Sequence, residues 1–344
     1  MNICAKFGRI LIDNILNMNV NSMLRWYIDN NIKPKKEENE LIANYYNKIS
    51  NLLEDNWYYC FRSWSYARWT AISPVNDLDI ICESDENDID DFMNSEKWKW
   101  LYEILSKEYW DENIDFQSSS IWISFWPDED DFGIDVVIAL KDEEVNNYWD
   151  NLYTVPKLLY KTRKQRKEIY KNIKENWENK DYLSLIKSDP KWYKKELKEI
   201  KDENKNIIYA TRFLKKWKWV IKKEYWENEK CLKSFHIEEI VKKTIKWNMK
   251  LELLDLLKEA IKTFDLTKSN IPDRASASIM IDSYIDEDDF NQKQNEQQLE
   301  RILYFLEEIN ENNFEEKIIE IFNQKIKKIE TKIDNKQKSY YVTN

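Results

Sequence analysis

The pattern that decides the fold lies in Phe61-Arg-Ser-Trp-Ser-Tyr-Ala-Arg-Trp-Thr-Ala-Ile-Ser-Pro-Val-Asn-Asp-Leu-Asp-Ile80. Its last residues begin a short strand pattern that continues to Cys82, and Asp77 and Asp79 are separated within it by one leucine. Residues two apart in a strand point to the same side of the sheet, so we expect both carboxylates on one face. The stretch therefore predicts a strand with a pair of acidic side chains directed away from the core.

A third carboxylate, Asp135, interrupts the apolar run Phe132-Gly-Ile-Asp-Val-Val-Ile-Ala-Leu140. A buried strand does not keep a lone carboxylate unless something pairs with it. Together with Asp77 and Asp79, it could hold two Mg²⁺ ions about 3.5–4 Å apart, with Mn²⁺ as the alternative ion. One ion would activate an attacking hydroxyl, and the other would neutralise a triphosphate and its leaving pyrophosphate. Taken alone, Asp77-Leu-Asp79 is equally compatible with a solvated strand, because such triplets are common in acidic chains.

The composition is abnormal, because glycine occurs twice and tryptophan sixteen times. At a usage of about 7%, a chain of this length would carry roughly 24 glycines. Two cannot supply the turns with positive φ and the helix C-caps of a fold this size. Several tryptophans lie in polar, turn-like sequence where glycine would suit, namely Trp57, Trp110 and Trp177.

We hypothesise that UGA encodes glycine in this gene and was translated as tryptophan. The alternative is a composition shift in an AT-rich genome, which explains abundant Lys, Asn and Ile but not the loss of glycine to tryptophan. UGG codons at positions 64 and 69 in the coding DNA would reject the hypothesis. Trp217 is expected to be a real tryptophan, packed in the helical half of the chain.

With glycine at positions 64 and 69, the segment from residue 64 would be Gly-Ser-Tyr-Ala-Arg-Gly-Thr-Ala-Ile. It resembles the GS…RGT…DxD signature of the polymerase-β-like nucleotidyltransferases. The resemblance implies that Ser65 and the backbone amides of this turn contact nucleotide phosphates, and that the three aspartates are the catalytic metal ligands. Trp64 and Trp69 stand where that family has glycine. An indole at position 64 would block the nucleotide, and this departure puts catalysis by the literal sequence in question.

Three segments of the carboxy-terminal half add to the resemblance: Lys187-Ser-Asp-Pro-Lys-Trp-Tyr193, Thr211-Arg-Phe-Leu-Lys-Lys-Trp-Lys218 and Lys233-Ser-Phe-His-Ile-Glu-Glu-Ile240. Their order is similar to that of the bacterial CD-NTases, relatives of cyclic GMP–AMP synthase that make cyclic di- and trinucleotides in anti-phage signalling. The resemblance implies that Lys215 and Ser234 contact the donor triphosphate and that Phe235 stacks on a base. Arg212 would share the helix face of Lys215. The structural alternatives are a solvated lysine, a helix N-cap serine and a core phenylalanine.

The hydrophobic periodicity predicts an α+β fold, a mixed α/β half followed by a carboxy-terminal helical domain. The resemblance implies that the α/β half is a polymerase-β-like nucleotidyltransferase core with a mixed sheet. We expect residues 1–150 to form the N-terminal helices and the core, and residues 151–344 to form the helical domain that completes the nucleotide cleft. The predicted strands are Tyr58–Ser63, Asp77–Cys82, Asp115–Phe125 and Phe132–Leu140. The predicted helices cover 9–30, 37–53, 155–178, 189–203, 205–224, 234–263 and 294–332, with a further helix ending at Tyr109.

Charge and residue counts exclude several other classes of protein. The net charge of −10 argues against a protein that is activated by duplex DNA, because such proteins need a basic footprint. A zinc site is not expected from four scattered cysteines and one histidine, and His236 is interpreted as a satisfied structural residue. The basic stretch 157–171 is interpreted as a solvated helix face, with a phosphate-contacting surface as the alternative. No apolar run predicts a membrane span or a signal peptide, so we expect a cytoplasmic protein.

The resemblance to the CD-NTases implies a Mg²⁺-dependent nucleotidyltransferase that takes NTPs as substrates and makes a cyclic di- or oligonucleotide second messenger for anti-phage defence. Regulatory or effector proteins encoded nearby are the expected partners. Two alternatives remain open. One is another polymerase-β-like transferase, of the antitoxin type or acting on RNA ends. The other is a catalytically dead nucleotide-binding protein, which a real Trp64 would favour.

Overall fold

The computed structural model describes residues 19–322, except 87–88, 95–96, 126–131, 146–150, 160–161, 173–182, 226–230, 274–279 and 288–289. The predicted helix at 9–18, the end of the last predicted helix and Trp177 lie outside the described residues. The chain divides into two compact units. One, the α/β unit, comprises Pro34–Glu199 and Pro272–Ile279, and the other, the helical unit, comprises Met1–Lys33, Ile200–Ile271 and Met280–Asn344.

The α/β unit contains a seven-stranded mixed sheet. In chain order its strands are β1 (Tyr59–Arg62), β2 (Asp77–Ser84), β3 (Ile114–Phe116), β4 (Ile121–Ser124), β5 (Gly133–Val145), β6 (Asn151–Leu158) and β7 (Leu183–Ser188). The spatial order is β1-β2-β5-β4-β3, and β6 pairs with the second half of β5 and with β7. Among the strand pairs of the described residues, β2–β5 alone is parallel, which confirms the predicted mixed sheet.

One face of this sheet packs against helices and forms the main core. The helices of the α/β unit are α1 (Lys36–Glu54), the single turn α2 (Trp64–Ala67), α3 (Ile89–Asn94), α4 (Lys97–Tyr109), α5 (Arg163–Lys171) and α6 (Pro190–Glu203). Leu78, Ile80 and Cys82 alternate inward along β2 and are fully buried. The alternation leaves Asp77 and Asp79 on the opposite face, as the spacing of two residues predicts.

The two strands β6 and β7 were not predicted, and the predicted helix 155–178 is wrong in its first part. Residues 151–158 form β6, and the helix that follows begins only at Arg163. The sheet extends beyond residue 150 because Thr154 pairs with Leu140 and Val155 pairs with Ile186. The α/β unit therefore continues to Glu199, which differs from the expected boundary at residue 150.

The helical unit consists of helices that pack against one another around buried apolar side chains. Its helices are α7 (Val20–Tyr27, followed by a π-turn at Ile28–Ile32), α8 (Asn206–Tyr225), α9 (Ser234–Trp247), α10 (Leu253–Thr263), α11 (Gln292–Glu308) and α12 (Phe314–Phe322). The helices predicted at 189–203 and 205–224 are confirmed. Those predicted at 234–263 and 294–332 each contain a break, and the first break is fixed by Asn204, whose amide donates to the carbonyls of Met249 and Leu251.

Positive φ occurs in the described part of the chain at three residues only, and all three are tryptophans: Trp57 at 71°, Trp69 at 60° and Trp110 at 62°. Trp57 N–H donates to Glu54 O and Tyr58 N–H donates to Leu53 O, which is the Schellman pattern with Trp57 at C′. Glycine is the usual residue at that position, because a Cβ is disfavoured at positive φ. The backbone therefore supports the assignment of glycine to turn-like tryptophans.

Trp69 repeats this hydrogen-bond pattern at the end of α2. Its N–H donates to Tyr66 O at 3.4 Å, and Thr70 N–H donates to Ser65 O at 2.9 Å. Trp110 has ψ of 143°, which places it close to a region that glycine alone populates readily. The Trp57 and Trp110 side chains are 80% and 67% exposed, so their rings contribute little packing. By contrast, Trp217 is buried, as expected of a real tryptophan.

We expect Trp57→Gly and Trp110→Gly each to raise the free energy of unfolding by about 1 kcal/mol, because glycine removes the cost of positive φ. The measurement is urea unfolding of the purified variants. Trp100→Gly is the matched control, because this half-exposed indole lies inside α4. There glycine is expected to cost about 1 kcal/mol. A loss of stability in all three variants would contradict the assignment.

Candidate active site

The turn between β1 and β2 carries Ser65 and lies beside the acidic strand. Trp64 begins α2, directly after β1, and Ser65 is the second residue of this turn. Ser63 N–H donates to Asp79 O at 3.0 Å, so the entrance of the turn is tied to the strand that carries the carboxylates. The turn closes at Trp69 and Thr70, whose amides bond to the α2 carbonyls. The predicted phosphate turn and the predicted metal ligands are therefore neighbours in the fold.

Glu38 holds the segment that leads into β2. Its carboxylate accepts from the backbone N–H of Lys35 at the start of α1 and, through its other oxygen, from Ser73 Oγ at 3.0 Å and Val75 N–H at 3.2 Å. One side chain thus caps α1 and fixes the approach to Asp77. A Glu at N3 of a helix is a known capping residue, but its contact with the distant loop has no sequence signal.

The strand register brings the three predicted metal ligands to one part of the sheet. In the parallel β2–β5 pair, Asp79 is the direct partner of Asp135, and Asp77 is the partner of Gly133. Paired residues in a sheet point to the same face, so Asp79 and Asp135 are side by side, and Asp77 lies on that face two residues earlier, at the start of β2. Among the described residues, no three acidic, cysteine or histidine side chains are already closed around a common point. Like charges repel, so we expect such closure to require a cation.

Asp135 is a half-buried carboxylate, and a nearby cation would stabilise its negative charge. Burial raises the pKa of Asp135 to about 6, the hydrogen bond from Ser120 opposes that rise, and the charge of Asp77 adds to it. Ser120 Oγ donates to Asp135 Oδ1 at 2.5 Å. An all-carboxylate donor set suits a hard cation such as Mg²⁺ or Mn²⁺. The residues present therefore fit the implied metal.

Gly133 is one place where the absence of a Cβ is required. An added Cβ there would lie 2.0 Å from the ring of Trp122. Trp122 is the register partner of Asp135 on β4, so its indole shares the face of the carboxylates and lies over Gly133. The sequence did not identify Trp122 or Ser120 as neighbours of the site. The available signal was the spacing of two residues between Ser120 and Trp122, which places both side chains on the same face of a strand.

In the helical unit, the structure brings Ser234 to Lys218 and not to Lys215. Lys218 Nζ donates to Ser234 Oγ at 2.9 Å. Lys215 is buried, and its ammonium pairs with Glu238 at 3.3 Å. Ser234 is the first residue of α9, and the N-cap is Lys233, so the N-cap interpretation of Ser234 is wrong. Lys218 was not predicted, although it follows Lys215 by three residues in Lys215-Lys-Trp-Lys218.

The remaining predicted residues of the helical unit have mixed outcomes. Arg212 and Phe235 are both half-buried, and their nucleotide-contacting roles stay predictions. His236 is fully buried, its Nδ1 lies 2.8 Å from the Tyr284 hydroxyl, and burial lowers its pKa to about 4. Its Nε2 has no hydrogen-bond partner among the described residues. These contacts support a structural role for His236, in which one ring nitrogen has a hydrogen-bond partner and the other has none among the described residues.

We expect Lys215→Met to lower the free energy of unfolding by about 3 kcal/mol, because Glu238 would lose its cation while remaining buried. Lys218→Met is the matched control on the same helix and is expected to change stability by less than about 1 kcal/mol, because Lys218 is only half-buried. Urea unfolding measures both. Equal stability of the two variants would show that Lys215 is not held in the pair and is available for a ligand.

The comparisons with known proteins bear on the domain and the fold that carry this site. Residues 18–157 match the family model of the Second Messenger Oligonucleotide or Dinucleotide Synthetase (SMODS) domain. No curated protein matches the sequence. None of the described helices is long and apolar enough to cross a membrane.

Solved structures of CD-NTases share the fold at low sequence identity. Escherichia coli MS115-1 CdnC, solved in a complex with HORMA-deltaN, has a TM-score of 0.60 at 14% identity, over 88% of this chain and 96% of that one. Bradyrhizobium diazoefficiens CdnG, solved with GTP, has a TM-score of 0.62 at 10% identity, over 88% and 95%. Vibrio cholerae DncV has a TM-score of 0.54 at 13% identity, over 78% and 68%. Residues 18–157 therefore resemble the SMODS domain, and the chain has the mixed-sheet nucleotidyltransferase fold of these CD-NTase structures.

Proposed function

We propose that this protein is a Mg²⁺-dependent synthase that joins NTPs into a cyclic di- or oligonucleotide second messenger, and that the messenger serves anti-phage defence. The observation that carries the proposal is the register of Asp79 with Asp135 on adjacent parallel strands, with Asp77 on the same face. Such an arrangement of carboxylates suits two-metal phosphoryl transfer. The SMODS domain over the same strands supports a cyclic product in place of a simple chain extension.

Asp77, Asp79 and Asp135 would hold the metal, which supplies positive charge to the attacking oxygen and to the leaving pyrophosphate. In each step a ribose hydroxyl attacks the α-phosphorus of an NTP. A new phosphorus–oxygen bond forms, the bond to pyrophosphate breaks, and the hydroxyl proton passes to solvent. A second step of the same kind closes the ring. The three aspartates would orient the reacting groups, and the rigid β2–β5 pair would keep them in register.

Ser65 and the amides of α2 are proposed to contact the triphosphate. Hydrogen-bond donors at the start of a helical turn bind phosphate oxygens well, provided that the backbone can approach the ligand. Glycine at positions 64 and 69 would permit that approach and the positive φ at residue 69. A tryptophan at residue 64 is expected to obstruct that approach, because its large ring takes the place of a hydrogen atom.

Two cations of the helical unit are candidates for further phosphate contacts. The Lys218–Ser234 pair combines an ammonium and a hydroxyl at a helix start, which suits a triphosphate tail. Arg212 is proposed to assist, and Phe235 to stack on a base. Lys215 remains a candidate only if its pair with Glu238 opens. We also propose a cytoplasmic protein without duplex DNA activation, whose regulators or effectors are encoded nearby.

The test is NTP consumption by the Trp64→Gly/Trp69→Gly protein with and without Mg²⁺, measured as pyrophosphate release, beside its Asp135→Asn derivative. If Asp135 is a metal ligand, Asp135→Asn is expected to lower both the rate of pyrophosphate release and its dependence on Mg²⁺. A purely structural Asp135 predicts a changed melting temperature and an unchanged rate per folded molecule. Release that requires added RNA would favour an RNA-terminal transferase. No release under any condition would favour a dead nucleotide-binding protein.

A further inference from the structure

Ser120 occupies a fixed position next to the third aspartate. It ends the tight loop between β3 and β4, where Gln117 N–H donates to Ser120 O at 3.0 Å. The same loop is tied to β6, because Leu158 N–H donates to Ser118 O at 2.6 Å. One backbone hydrogen bond within the loop and one from β6 therefore hold it in place. The Ser120 hydroxyl is presented by a fixed backbone.

That hydroxyl is directed at one oxygen of a predicted metal ligand. Ser120 Oγ donates to Asp135 Oδ1 at 2.5 Å. Ile121 pairs with Val136 and Trp122 with Asp135, so Ser120 lies diagonally across from Asp135 on the face that carries the triad. No hydrogen bond to Asp135 Oδ2 is found within the described ranges. The contact orients the carboxylate and leaves the second oxygen for a cation.

We propose that Ser120 is a positioning residue that sets the orientation in which Asp135 binds the divalent cation. The inference rests on the proposed function, because it takes Asp135 as a metal ligand. Hydrogen bonds to coordinating side chains fix their geometry, and their removal costs about 10–100-fold in metal affinity in known metal sites. Ser120 would act through Asp135 and touch neither nucleotide nor metal.

The test is Mn²⁺ binding to the full chain without nucleotide, followed by electron paramagnetic resonance of the free ion. Ser120→Thr and Ser120→Val form a matched pair, because these side chains have nearly the same shape and only threonine has a hydroxyl. We expect the valine variant to bind Mn²⁺ at least about tenfold more weakly than the threonine variant. Ser119→Ala, in the same loop, is expected to bind as the parent does. Equal Mn²⁺ affinity of the two Ser120 variants would overturn the proposal.

Asp135→Asn separates this inference from the proposed function. If Asp135→Asn loses Mn²⁺ binding and Ser120→Val keeps it, the metal site stands and the role of Ser120 fails. If Asp135→Asn binds Mn²⁺ as the parent does, both fail. Melting temperatures measured without metal accompany each titration. A valine variant that melts with the threonine variant but binds Mn²⁺ more weakly supports positioning over a general effect on folding.

Discussion

Replacement of both Trp64 and Trp69 by glycine is expected to raise NTP consumption by at least about a hundredfold. The reference is the literal chain, which has tryptophan at both positions. The two positions flank the turn proposed to contact phosphate, and residue 69 already has φ of 60° at the end of α2. Glycine lets the backbone approach the nucleotide, and the contacts regained are of the kind that stabilise charge in the transition state. The measurement is pyrophosphate release under saturating Mg²⁺ and NTP.

The control is the Trp57→Gly/Trp110→Gly protein, which corrects two strained turns that lie outside the proposed phosphate turn. It is expected to gain stability and to leave NTP consumption at the level of the literal chain. Equal activity of the literal chain and the Trp64→Gly/Trp69→Gly protein would contradict both the glycine assignment and the role given to this turn. Coding DNA with UGG at positions 64 and 69 would contradict the assignment independently.

In the Trp64→Gly/Trp69→Gly protein, Asp79→Asn is expected to lower the rate of pyrophosphate release by about a thousandfold or more. Asp79 is the register partner of Asp135, so its carboxylate is central to the arrangement. An amide keeps the shape of the side chain and removes the charge that would hold the metal. Asp77→Asn is expected to have an effect of the same order. The rates are compared at equal concentrations of folded protein, which is verified by thermal unfolding.

Asp115→Asn is the matched control for the aspartates. Asp115 pairs with Trp122, which pairs with Asp135, so it lies in the same row of the sheet and two strands from the proposed metal site. We expect this variant to keep near-normal turnover. Near-normal turnover of Asp79→Asn would remove that residue from the site, and loss of turnover in all variants would indicate a general effect on the sheet.

The central part of the fold was predictable because its signals are local. Alternating apolar residues predicted β2, and the apolar run interrupted by a single acidic residue predicted β5 and the carboxylate of Asp135 within it. β6 escaped prediction because Pro156 and a basic run argue against a strand, and because its pairing with β5 and β7 is set by tertiary contacts.

The candidate site was predictable to the same extent. The placement of Asp77, Asp79 and Asp135 on one face follows from strand periodicity, and their role as metal ligands stays a prediction that rests on the family signature. The contacts that support these aspartates could not be predicted. The Ser120–Asp135 contact depends on a loop conformation, and the Glu38–Ser73 contact joins segments that are distant in sequence. Lys215 shows a further limit, because spacing alone cannot tell a phosphate-binding lysine from one that pairs with a buried Glu238.

The most direct test of the proposed synthase is the identity of its product. The Trp64→Gly/Trp69→Gly protein is incubated with α-³²P-labelled NTPs and Mg²⁺, and the label is resolved after phosphatase treatment. A cyclic oligonucleotide has no terminal phosphate, so we predict label that resists phosphatase, disappears with Asp79→Asn and forms without RNA. Label that is found only in linear products or on added RNA, or that remains entirely in NTP, would contradict a cyclic oligonucleotide synthase.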